Sequence, residues 1–126
     1  MPLSKITYLV PDYDHAIAWL RDGLAFTLLE DTDKGQGKRW VVMQPPGGGV
    51  CLLLARATTP VQEAAIGQQA GDRVAYFYHT ADFDADYARL TQIGIRFTEL
   101  PREEEYGKVV VFLDPYGNKW DLIQPR

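Results

Sequence analysis

Apolar and β-branched residues dominate positions 3–10 and stop at Pro11, which reads as a strand closed by a residue that cannot continue a ladder. The spacing then changes. Ala16, Ile17, Leu20 and Leu24 recur at intervals of three and four, the period of a helix with one buried face. Asp12 is placed to cap that helix by accepting a first-turn N–H, Asp14 adds charge where the helix dipole favours it, and Gly23 is predicted to end it at positive φ. Residues 25–30, 38–44 and 50–55 read as strands, separated by the polar turn 31–37 and by Pro45-Pro46-Gly47-Gly48-Gly49. From 56 to 71 the pattern weakens into a linker, with one short helical turn predicted near 61–66. Strand signals return at 74–78, a helix at 82–93, and strands at 95–100, 109–113 and 118–123, the last pair joined by the turn former Asp114-Pro115-Tyr116-Gly117.

The two halves repeat each other. Asp12-Tyr13-Asp14 with Leu20, Gly23 and Phe26-Thr27 returns as Asp82-Phe83-Asp84 with Leu90, Gly94 and Phe97-Thr98. The interval of about 70 residues exceeds the roughly 20–50 of solenoid units, so the chain reads as two copies of one β-α-β-β-β module. The expected organisation is one domain over residues 1–126, with module 1 at 1–56, a linker at 57–71 and module 2 at 72–126. Neither copy is large enough to bury a good core alone, and a groove between sheets is a natural ligand site.

Composition narrows the partners. A formal net charge of −4 with no Lys/Arg cluster speaks against nucleic acid and permits a cationic ligand without demanding one. There is no basic leader followed by an apolar run and no apolar stretch long enough to span a bilayer, so no membrane partner and a cytoplasmic location are expected. Cys51, the single cysteine, rules out an internal disulfide, and its setting in Val50-Cys51-Leu52-Leu53-Leu54 predicts a buried, inert thiol.

Val10-Pro11-Asp12, its counterpart Asp82-Phe83-Asp84, and above all Phe112-Leu113-Asp114-Pro115-Tyr116-Gly117-Asn118-Lys119-Trp120-Asp121-Leu122 resemble the vicinal oxygen chelate superfamily of glyoxalases, bleomycin-resistance proteins and extradiol dioxygenases. The resemblance implies an α+β fold of two tandem βαβββ modules forming a curved, half-open β-barrel around a small-molecule cavity, commonly in a homodimer. It also implies four metal-ligand positions, one per strand of the cavity. They fall on Lys5, on Leu52 or Leu53, on Ala75 and on Asp121. An ammonium and aliphatic side chains offer no lone pair, so only Asp121 keeps a donor and no metal or other cofactor is expected.

Strand alternation from these positions turns Lys5, Thr7 and Leu9 toward the cavity, together with Arg73, Ala75, Phe77 and His79, and with Asp121 and Ile123. Lys5 is expected to pair with Asp121, with Arg73 as the competing cation. Trp40 and Phe77 are candidates for an aromatic wall, Trp120 for the core or a subunit interface, His15 for solvent and the run 102–107 for a solvated connection or a lid. The predicted ligand contacts are thus Lys5, Thr7, Trp40, Arg73, Phe77 and Asp121. The leading expectation is a glyoxalase-like or bleomycin-resistance-like protein that binds a small organic ligand without a metal. The competing one is a lyase, isomerase or dioxygenase with Asp121, Lys5 or His79 as acid–base groups.

Overall fold

The computed structural model describes the whole chain, Met1–Arg126, as two compact units, Met1–Ile66 and Gly67–Arg126. In the first unit, strand β1 (Lys5–Val10) leads into helix α1 (Tyr13–Leu24), followed by β2 (Thr27–Gly35), β3 (Lys38–Gln44), β4 (Cys51–Arg56) and the short α2 (Pro60–Ala65). The sheet order is β1-β4-β3-β2, with β1 parallel to β4 and the other pairs antiparallel. α1 packs on β2, β3 and β4. Its buried Ala16, Ile17, Leu20 and Leu24 share the core with Tyr8, Val10, Val41, Met43, Leu52 and Leu54. Every second residue of β1, β3 and β4 therefore faces the helix, and the intervening ones face away.

The second unit repeats this plan. β5 (Val74–His79), α3 (Phe83–Gln92), β6 (Arg96–Phe97), β7 (Arg102–Glu104), β8 (Gly107–Leu113) and β9 (Lys119–Pro125) form a sheet of order β5-β9-β8-β6, with β7 also on β8. β6 covers the Phe112–Leu113 end of β8 and β7 its Gly107–Val109 end, so the two short strands do the work that β2 does alone in the first unit. Pro101, between them, has no N–H to give a ladder. Phe112 stacks on Trp120, which meets Tyr76, and Tyr87 of α3 bridges Phe83 and Phe97. Trp120 is buried, as expected.

Four local readings change. α1 runs through Gly23, and the left-handed residue that ends it is Ala25 at φ 61°, whose N–H returns to the Leu20 carbonyl. The turn expected over 31–37 shrinks to Gln36 and its flanking glycines, because polar residues of β2 pair with β3 as far as Gly35. The run 102–107 is neither a lid nor a loose connection: it forms β7 and the hairpin turn into β8. Finally, β5 is irregular between Val74 and Tyr76, which sets Val74 beside Lys119 while Phe77 lies beside Asp121. Alternation projected back from Phe77 to Ala75 and Arg73 does not survive that extra residue. α1 begins as predicted, with Asp12 accepting from His15 N at 2.8 Å, and α3 is capped in the same way by Asp82, which accepts from Ala85 N at 3.2 Å. No helix is long and apolar enough to cross a membrane.

Candidate functional site

The face of the first sheet turned away from α1 carries Thr7 and Leu9 from β1, Leu53 and Ala55 from β4, and Trp40 and Val42 from β3, with Thr7 beside Leu53 and Leu53 beside Val42. A cleft of about 380 Å³ is lined by Thr7, Leu9, Trp40, Leu53 and Ala55 from this face and by Tyr13 of α1 with Arg39, Leu54 and Arg56, which alternate to the α1 face. That volume falls at the small end of the range of about 300–1,000 Å³ for ligand pockets. Thr58 and Gln62 reach it from the segment around α2, where the Gln62 amide oxygen accepts from both Thr58 N at 2.8 Å and Thr58 Oγ1 at 3.2 Å.

Its mouth is cationic: Lys38, Arg39 and Arg56 line it, and no Asp or Glu does. Arg39 is tied down by Asp31, at 2.7 and 3.0 Å, and by Asp14 at 2.9 Å, with its guanidinium 5.1 Å from the centre of the Tyr13 ring. The hydrogen bond from Arg39 holds the Asp31 carboxyl below its ordinary range. The Tyr13 hydroxyl in turn accepts from Arg39 N at 3.2 Å. Arg56 has no carboxylate partner and donates only to the Gly37 carbonyl at 3.4 Å.

Of the predicted contacts, Thr7 and Trp40 meet in this cleft. Lys5 is exposed at the start of β1 and lines a separate hollow with Leu29, Glu30 and Val50. The remaining candidates belong to the second unit. Asp121 sits in the centre of its sheet, between Phe77 and Val111, 6% exposed, and its Oδ1 accepts no hydrogen bond. Burial raises its pKa, opposed by the charge of Arg102 and reinforced by Glu99. Arg102 is itself bound to Glu99 at 2.9 Å and Glu104 at 2.8 Å, and Glu99 accepts the Val111 N–H at 3.2 Å. Phe77 is 61% exposed, and Arg73 is exposed in the turn before β5. His79 and His15 are exposed.

Lys38 could have been found by carrying the alternation of β3 back from Val42 through Trp40. Alternation along β4 sets Arg56 with Leu52 and Leu54, so its place in the cleft lining carries no such signal, and the pairing of Arg102 with Glu99 depends on where an edge strand comes to rest.

A divalent ion does not fit the donor set at the implied positions. Leu53 faces the cleft and Leu52 the core, Lys5 is an ammonium, and the chain assembles no group of three or more His, Cys, Asp or Glu.

The sequence profile of the Glyoxalase/Bleomycin resistance protein/Dioxygenase superfamily matches residues 3–122. The chain belongs to this superfamily. An uncharacterized protein of Shewanella frigidimarina is 53% identical over 124 residues, covering 97% of this chain and 92% of that protein. Among solved structures, TnmS3, an antibiotic binding protein from Streptomyces sp., is 27% identical with a TM-score of 0.79, covering 100% of this chain and 97% of that one. A superfamily member from Sphaerobacter thermophilus is 25% identical with a TM-score of 0.76, covering 98% of this chain and 97% of that one. The fold is glyoxalase-like along its whole length, as the sequence implied.

Proposed function

We propose that this protein binds a small organic molecule non-covalently, without a metal, and acts by sequestering it. The observation that carries this reading is the cleft of the first unit, whose lining combines the apolar Leu9, Leu53 and Ala55 and the Trp40 indole with a limited set of polar side chains. Such a lining favours an apolar or aromatic body by burial and leaves orientation to a few hydrogen bonds. Leu53, one of the two residues at the implied second ligand position, gives this cleft an aliphatic contact and no lone pair. The likeness to an antibiotic binding protein supports the same reading. Lys5 is proposed as a ligand contact in the hollow it lines, and Arg73, Phe77 and Asp121 as contacts of the second unit, with Asp121 held toward its neutral, hydrogen-bond-donating form by burial.

The test is a thermal-shift screen of aromatic natural-product-like compounds, followed by mass spectrometry of the bound compound after long incubation. Stabilising compounds are expected to come back unchanged and to lose at least tenfold in affinity with Trp40→Ala, and elemental analysis is expected to find no stoichiometric metal. A chemically altered product, or one bound metal per chain, would overturn the reading in favour of catalysis.

A further inference from the structure

The charge at the mouth of the cleft runs against that of the chain. The protein carries 17 acidic and 13 basic side chains, yet the only charged residues around this cleft are Lys38, Arg39 and Arg56. Asp31 and Asp14 compensate Arg39, so the positive charge that the lining keeps is that of Lys38 and Arg56, and low-dielectric walls concentrate such a field.

The three are not equivalent. Arg39 is spent, because Asp31 takes it in a two-point contact and Asp14 takes a third N–H. Lys38 and Arg56 make no ion pair, and Arg56 gives one long hydrogen bond to Gly37 O, which steadies its guanidinium above the turn between β2 and β3. Its remaining N–H groups form a planar fork suited to a carboxylate or sulfonate. Trp40 lines the same cleft and offers a flat face to an aromatic ring.

We infer that the cleft selects a planar aromatic ligand bearing an anionic group, with the ring against Trp40 and the anion at Arg56, assisted by Lys38. This inference rests on the proposal that the cleft is the ligand site and adds the ligand's charge class and the residue that reads it. The acidic composition of the chain as a whole permits the opposite sign of ligand, so the choice is made by local placement alone.

Two probes of the same skeleton test it: anilinonaphthalene sulfonate and its uncharged parent, phenylnaphthylamine, titrated by fluorescence into the full chain. The sulfonate is expected to bind at least tenfold more tightly than the parent, and less tightly as salt is raised. Arg56→Gln is expected to remove about tenfold of the sulfonate's affinity and leave the parent's unchanged, Arg56→Lys to restore part of it, and the melting temperatures to stay close to that of the native chain. Trp40→Ala is expected to weaken both probes. Equal affinities for the two probes, or sulfonate binding indifferent to Arg56→Gln, would overturn the charge assignment while leaving the cleft as a binding site. Indifference of both probes to Trp40→Ala would overturn the cleft itself and the inference with it.

Discussion

At the scale of single residues, the most consequential group is Asp121. It is buried with one oxygen unpartnered, and its pKa is raised chiefly by desolvation. A carboxyl whose folded pKa lies above its unfolded value of 3.8 holds its proton longer in the native state than in the unfolded chain. Stability associated with it is therefore complete below the unfolded pKa and falls as pH rises from there through the folded value. Asp121→Asn removes the charge, so at pH 7 it is expected to raise stability by about 1 kcal/mol, or roughly 3–6 °C in melting temperature. The gain should vanish near pH 3, where both states of the native side chain are protonated. Thermal melts of the two proteins across pH 3–8 check this, and a constant difference over that range would count against the burial argument. Asp114, also buried, shows the opposite solution. It accepts from Tyr116 N at 3.0 Å, Asn118 N at 2.9 Å, Asn118 Nδ2 at 2.8 Å and Trp120 Nε1 at 3.0 Å, so four donors repay its desolvation and fix the turn that feeds β9.

Among the elements, α1 carries an avoidable cost. Its closing residue, Ala25, takes φ 61° with a Cβ present, a conformation that glycine adopts without penalty. Ala25→Gly is expected to stabilise the fold by up to about 1 kcal/mol, measurable as a higher denaturation midpoint at unchanged slope. Gly67 is the converse case. At φ 73° its absent Cβ would overlap the Tyr116 carbonyl, so there both the conformation and the space require glycine. One edge of the second sheet, opposite β5, is also an element-scale feature: there β6 and β7 replace a long continuous strand with two short ones, a device that limits pairing with other chains.

At the scale of the whole molecule, the apolar side chains of Leu3, Leu29 and Val50 are exposed. Leu3, Leu29 and Val50 line a hollow of about 700 Å³ with Lys5 in the first unit. We propose a homodimer, because closed two-fold pairing is the commonest way to remove such surface from water. Light scattering is expected to give twice the chain mass of 14.2 kDa at micromolar concentrations, and a monomer mass at all concentrations would refute the pairing.

The sequence by itself determined the repeat, the strands and helices apart from β7, the Asp12 cap of α1 and the superfamily, because each depends on local period, turn chemistry or a contiguous motif. It also determined that Lys5, Leu52, Leu53 and Ala75 are poor metal donors, since that follows from side-chain chemistry alone. Tertiary structure decided what depends on register and on distant segments meeting. The irregularity in β5 is invisible to alternation, because an extra residue changes the face without changing the composition. The pairing of β7 with β8 turned an apparently solvated charge run into a sheet edge and set Arg102 and Glu99 to act on Asp121. The cationic mouth gathers Lys38 and Arg39 from β3 and Arg56 from the end of β4. A sum over the chain reports the sign of its total charge, whereas the field a ligand meets is set by the few side chains that the fold brings within a Debye length of it.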